Sequence, residues 1–173
     1  MSVLNAYVAA GADDYDSFAG SGGTTILARS LGLTPRVDDY WTTEIDTSAL
    51  PDDCTIDSAT YYYYHQTYTK TPKSLAYSRV VSIWNGSTWS LINSTSATPS
   101  VGWVSLSLSA VLSYISKTGK TKIRGSVDAV ATDEYRTWYI RAYEYDGSHT
   151  YRAYMVINYT EAATGRKKSM ILR

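Results

Sequence analysis

Between residues 36 and 64 the chain reads as strand, turn and strand, and no other stretch limits the possible folds as tightly. Tyr40, Trp41, Thr42, Thr43 and Ile45 form a β-branched and aromatic run. It stops at Asp46-Thr47-Ser48-Ala49-Leu50-Pro51-Asp52-Asp53, where Pro, Asp and Ser impose a turn. A second, longer strand then begins at Thr55 and runs through Tyr61, Tyr62, Tyr63 and Tyr64. The aromatic balance points the same way: 17 Tyr and 5 Trp stand against a single Phe, which favours half-exposed strands over helices.

The remaining sequence extends this pattern. A short first strand is expected over 3–9, followed by an acidic loop holding Asp13, Asp14 and Asp16. Gly20-Ser21-Gly22-Gly23 is a turn and not a phosphate cradle, because no Gly-Lys-Ser/Thr follows and 24–28 resumes as strand. Asn85-Gly86 marks a hairpin between strands at 77–84 and 88–92, and 94–100 is a polar loop. After a strand at 103–108, Leu108, Val111, Leu112 and Ile115 recur at helical spacing, with Ser107 or Ser109 available as cap. One short helix is expected near 108–116, ended by Gly119. Strands near 120–128, 135–145 and 150–159 complete the set, with Asp146-Gly147 as the last hairpin turn. The expectation is an all-β chain: a two-sheet antiparallel β-sandwich of jelly-roll type over 1–160, with a tail at 161–173.

The run Ile45-Asp46-Thr47-Ser48-Ala49-Leu50-Pro51-Asp52-Asp53-Cys54-Thr55-Ile56-Asp57-Ser58-Ala59-Thr60 resembles a motif of carbohydrate-binding-module-like jelly rolls. Tyr61 and Tyr63 stand where that family carries Leu. The stretches 117–124 and 154–159 resemble the family's later strands, so the resemblance extends over most of the chain. Such modules occur beside glycan-active enzymes, in bacterial surface proteins and in phage structural proteins. The resemblance therefore implies a sandwich more firmly than a function.

Charge and residue inventory narrow the function. With 16 basic and 16 acidic residues the chain has no net charge, which argues against nucleic acid as a partner. No long apolar span suggests membrane insertion. Cys54 is the only cysteine, so no disulfide within the chain is available, and it is read as a structural thiol. His65 and His149 sit in neither a zinc spacing nor a nucleophile elbow and are expected at the surface. No catalytic constellation emerges, and the expectation is a non-enzyme without a cofactor. Asp13, Asp14 and Asp16 are the metal candidates, hard oxygen ligands that would suit a structural calcium. For saccharides, exposed rings that stack on a pyranose are required, and Trp84, Trp89, Trp138 and Tyr139 are the candidates.

The tail joins a basic triplet, Arg166, Lys167 and Lys168, to the apolar triplet Met170, Ile171 and Leu172. Those apolar side chains would be exposed unless they dock, so a neighbouring subunit is their expected partner. Beginning Met1-Ser2-Val3-Leu4-Asn5 without an apolar leader, the chain is expected to be made in a host cytoplasm and released on lysis. The resulting expectation is a bacteriophage virion structural protein, a capsid decoration or tail or fibre component. It would form homo-oligomers, contact other virion proteins and meet cell-surface or mucus glycans at the particle surface. The alternative is a carbohydrate-binding module or adhesin domain from a larger secreted, extracellular protein.

Overall fold

The computed structural model describes residues 1–16, 25–31, 37–74, 79–97, 100–128, 130–141 and 150–162, with backbone only at 8–16, 25–29, 31 and 37–39. Among these residues ten strands form two antiparallel sheets packed as a sandwich. They are β1 (Ser2–Asp16), β2 (Thr25–Leu31), β3 (Val37–Asp46), β4 (Thr55–Thr71), β5 (Arg79–Trp84), β6 (Trp89–Thr95), β7 (Gly102–Ser107), β8 (Lys120–Ser126), β9 (Tyr135–Arg141) and β10 (Tyr154–Thr160).

The first sheet, A, is built around the long β4. Its first half pairs with β10, which pairs in turn with the start of β1. Its second half pairs with β9, which continues to β2 and the start of β3. On its other edge β4 carries β7. The second sheet, B, runs from the later part of β1 through β3, β8 and β5 to β6. Strands β1 and β3 each begin in one sheet and finish in the other, so two covalent corners hold the layers together.

The strand–turn–strand expected at 36–64 is β3, a turn and β4, although β4 continues well past Tyr64 to Thr71. Asn85-Gly86 closes the β5–β6 hairpin: Asn85 N–H donates to the Thr88 carbonyl at 3.0 Å, and Gly86 takes φ +98°. The expected acidic loop at 11–16 is instead strand. Asp13, Asp14 and Asp16 pair with Thr43, Thr42 and Tyr40 after a register shift following Val8. That shift supplies the bend by which β1 changes sheets, and ladder bonds to β3 outweigh the weak strand propensity of Asp. The helix near 108–116 is a single 3-10 turn, Leu112–Tyr114, with Val111 at its start and no side-chain cap. The helical spacing marked the correct inward residues, since Leu108, Val111 and Ile115 are all buried. Two turns of α-helix were not needed to bury them. Gly20 to Gly23 and Asp146-Gly147 lie outside the described residues.

Between the sheets sits an aromatic core. Trp41 and Trp138 meet edge-on at 5.0 Å, and Tyr63 contacts both, at 5.9 and 5.6 Å. Ile45, Ile83, Ile123, Ile140, Met155 and Ile157 fill the space around them. The Tyr61 hydroxyl pairs with Thr43 Oγ1 at 3.0 Å, so burying that ring leaves no orphaned polar group. Gly125 lies beneath Trp41: a Cβ there would come within 2.1 Å of the indole.

His65, expected at the surface, is 2% exposed. Its Nδ1 accepts from the Trp138 indole N–H at 3.2 Å. Burial, with help from the nearby Arg79 cation, lowers its pKa to about 4. The ring is therefore neutral at ordinary pH and serves as an acceptor. Arg79 is itself buried, over the Trp138 ring at 5.3 Å, and donates to the Ala97 carbonyl at 2.8 Å and the Tyr63 hydroxyl at 3.4 Å.

Candidate aromatic binding face on sheet A

Successive strand residues point to opposite faces, and the four consecutive tyrosines of β4, Tyr61 to Tyr64, divide accordingly. Tyr61 and Tyr63 enter the core, while Tyr62 and Tyr64 face outward and are half-buried. Register then sets the face. Tyr7 on β1 pairs with Tyr154 on β10, and Tyr154 pairs with Tyr62 on β4. Three tyrosines therefore form a row across three adjacent strands.

Their rings are in contact along that row. Tyr62 and Tyr154 stack at 4.7 Å with 7° between planes, and Tyr7 lies 5.6 Å from Tyr154. Trp103, on β7, reaches Tyr154 edge-on at 5.5 Å and Tyr64 at 5.6 Å, and Tyr64 meets Tyr151 at 4.5 Å. Each such contact contributes about 0.5–1.5 kcal/mol beyond its buried area, enough to hold the rings in place without a ligand. The array is only partly covered: Trp103 is 44% exposed and Tyr7 39%. Burial, together with the neighbouring Tyr62 and Tyr7 hydroxyls, raises the pKa of Tyr154, so its hydroxyl stays protonated and can both donate and accept.

An open groove of about 600 Å³ runs over this face, lined by Asn5, Tyr7, Trp103, Thr150, Arg152, Tyr154 and Val156. Arg152 holds its guanidinium over the Tyr7 ring, 4.0 Å from the centroid. Beside the array, Arg141 lies 5.0 Å from the Tyr151 ring and 5.4 Å from that of Tyr64. Rings, one amide and guanidinium groups are the components that bind polar ligands with apolar faces.

The residues expected from sequence are distributed differently. Trp84 and Trp89 do come together, 5.4 Å apart and at 61°, on the outer side of sheet B at the β5–β6 hairpin. Arg124 lies 4.5 Å from the Trp89 centroid and 4.9 Å from that of Tyr40, and burial lowers its pKa. A cation thus already occupies the Trp89 ring, which leaves less of it for a sugar. Trp138 is not displayed: with 0% exposure it anchors the core and cannot stack on a saccharide. Tyr139, half-buried on β9, lies on the opposite side of its strand from Trp138. The side chains of Asp13, Asp14 and Asp16 lie outside the described set, as do His149 and the tail residues Arg166, Lys167, Lys168, Met170, Ile171 and Leu172.

Tyr7, Trp103, Arg152 and Tyr154 were not singled out from sequence. Alternation does carry a local signal, because Tyr7 follows the buried Ala6 and Tyr154 precedes the buried Met155. Nothing local indicates that β1, β10, β4 and β7 stand side by side. Among the described residues no group of His, Cys, Asp and Glu could hold a metal ion, and no helix is long and apolar enough to cross a membrane. No family model matches the chain, and no curated protein is significantly similar to it.

Proposed function

We propose that the protein is a non-enzymatic structural protein of a bacteriophage particle, decorating the capsid or belonging to a tail or fibre, and that it turns the outer face of sheet A towards cell-surface or mucus glycans. The observation that carries this reading is the row Tyr7, Tyr154 and Tyr62, extended by the exposed indole of Trp103. Preformed rings on paired strands offer a flat apolar platform at little entropic cost, which is what the C–H face of a pyranose requires. The phage setting is supported by the resemblance of residues 45–60 to carbohydrate-binding-module-like jelly rolls that occur in phage structural proteins. Many copies on one particle would convert weak single contacts into avidity.

The same face supports a second reading, a carbohydrate-binding module or adhesin domain of a larger secreted protein. The two differ in valency, since a free-standing module must bind adequately alone. The test is a broad glycan array probed with the protein as a monomer and multimerised on beads. Binding by the multimer that is lost in Trp103→Ala is expected, whereas a blank array for both forms would remove glycans as the ligand. Tight binding by the monomer would favour the secreted module.

Docking through Arg166, Lys167, Lys168, Met170, Ile171 and Leu172 belongs to the particle reading. A chain ended at Gly165 should keep its melting temperature but lose self-association in sedimentation. Unchanged sedimentation would remove the tail from any assembly role.

A further inference from the structure

The geometry points to a ligand class narrower than glycans in general: the groove at Tyr154 selects saccharides that carry a carboxylate, such as uronic or sialic acids, with Arg152 as the carboxylate-binding residue. This inference rests on the glycan-binding reading above. Three observations lead to it.

Among the described residues that line the groove, Arg152 is the only charged one, and none is a carboxylate. Among the described residues Arg152 forms neither an ion pair nor a hydrogen bond, its one contact being the Tyr7 ring at 4.0 Å. A cation held over a ring face keeps its fork of N–H donors for an anion, and that fork matches a carboxylate in two parallel hydrogen bonds. Tyr7 thus acts as a positioning residue.

Beside the cation stands an unused stacking surface. Trp103 is 44% exposed and packs against Tyr154 and Tyr64 through edge contacts at 72° and 86°. Asn5, on the same groove, supplies an amide that can serve sugar hydroxyls. A ring platform, a hydroxyl partner and the Arg152 guanidinium match a pyranose bearing one carboxylate, and a groove of about 600 Å³ lies within the range of small-ligand sites.

The rest of the molecule argues against other anions. Nucleic acid is held by a track of cations that neutralises many phosphates, and the chain as a whole has no net charge. In a neutral protein the Arg152 guanidinium reads one carboxylate locally and adds little long-range attraction.

The experiment is a set of titrations followed by tryptophan fluorescence and calorimetry, with tetragalacturonate, its fully methyl-esterified form, sialyllactose and lactose. At least one acidic sugar should bind, its neutral counterpart should bind about tenfold or more weakly, and Arg152→Gln should remove that preference. Which acid binds distinguishes a uronic from a sialic source. Because the ester and lactose test charge on the unaltered protein, the result stands even if a variant folds poorly. Equal binding of acidic and neutral sugars would overturn the carboxylate assignment while leaving the glycan reading intact. If no sugar of either kind bound to protein multimerised on beads, both would fall.

Discussion

At the scale of single residues, the fold turns on a few side chains that each fit one way. Gly125 is required because the Trp41 indole occupies the position of its missing Cβ. Gly125→Ala must push that indole or the backbone of β8 aside, and should cost about 1–3 kcal/mol in urea unfolding. His65 shows how burial fixes a protonation state. Its folded pKa of about 4 lies below the ordinary 6.5, so between those values the unfolded chain takes up a proton that the folded chain refuses. Its contribution to stability is therefore complete above pH 6.5 and is lost as pH falls towards 4, by at most about 1.4 kcal/mol per pH unit. His65→Asn leaves an acceptor for the Trp138 indole and removes this titration, so its stability profile over that window should be flatter than that of the parent. Parallel profiles would assign the acid sensitivity to other groups. Neither role was legible beforehand. The neighbours of Trp138 are Thr137 and Tyr139, and those of His65 are Tyr64 and Gln66, all equally at home on either side of a sheet.

At the scale of elements, the turn that announced the fold proves to be a hydrogen-bonded knot. Asp46 Oδ1 accepts from the Ser48 N–H at 3.0 Å and from its hydroxyl at 2.6 Å, bonds that lower the Asp46 pKa. Thr47, fully buried, donates its hydroxyl to the Gly119 carbonyl at 3.0 Å and accepts from Thr121 Oγ1 at 2.9 Å. Thr121 in turn accepts from the Ser116 N–H at 3.0 Å. This chain of bonds ties the end of β3 to the loop that enters β8, across 72 residues of sequence. Thr47→Val keeps the shape and the bond from the residue-47 N–H to the Gly119 carbonyl, but removes the acceptor of the buried Thr121 hydroxyl. The cost should be about 1–3 kcal/mol in chemical denaturation, and a cost near zero would mean that water replaces the bond. Local chemistry made this turn and Asn85-Gly86 readable from sequence, because both depend on residues within four positions of each other. The extent of the short helix, a single 3-10 turn, and the length of β1 were not legible for the opposite reason. Each is decided by the surface it packs against or the strand it pairs with, and those partners are distant in sequence.

At the scale of the whole molecule, the two-sheet sandwich was legible from spacing and turns, but its most informative surface was not. The row formed by Tyr7, Tyr154 and Tyr62 joins residues from opposite ends of the chain, and only the strand order brings them together. The ladder between β1 and β10 has a mechanical consequence. Ser2 pairs with Tyr159 at one end of it and Tyr7 with Tyr154 at the other, so the start of β1 and the end of β10 lie side by side. A load applied across those ends would open the ladder rung by rung, like a zipper, instead of shearing all its bonds at once. A domain suspended by its two ends would hang as a pendant with that ladder as its weak seam. Its ring-lined groove would sit about 17 Å away from the point of attachment, five residues along the strand, and open sideways, perpendicular to the line of the load.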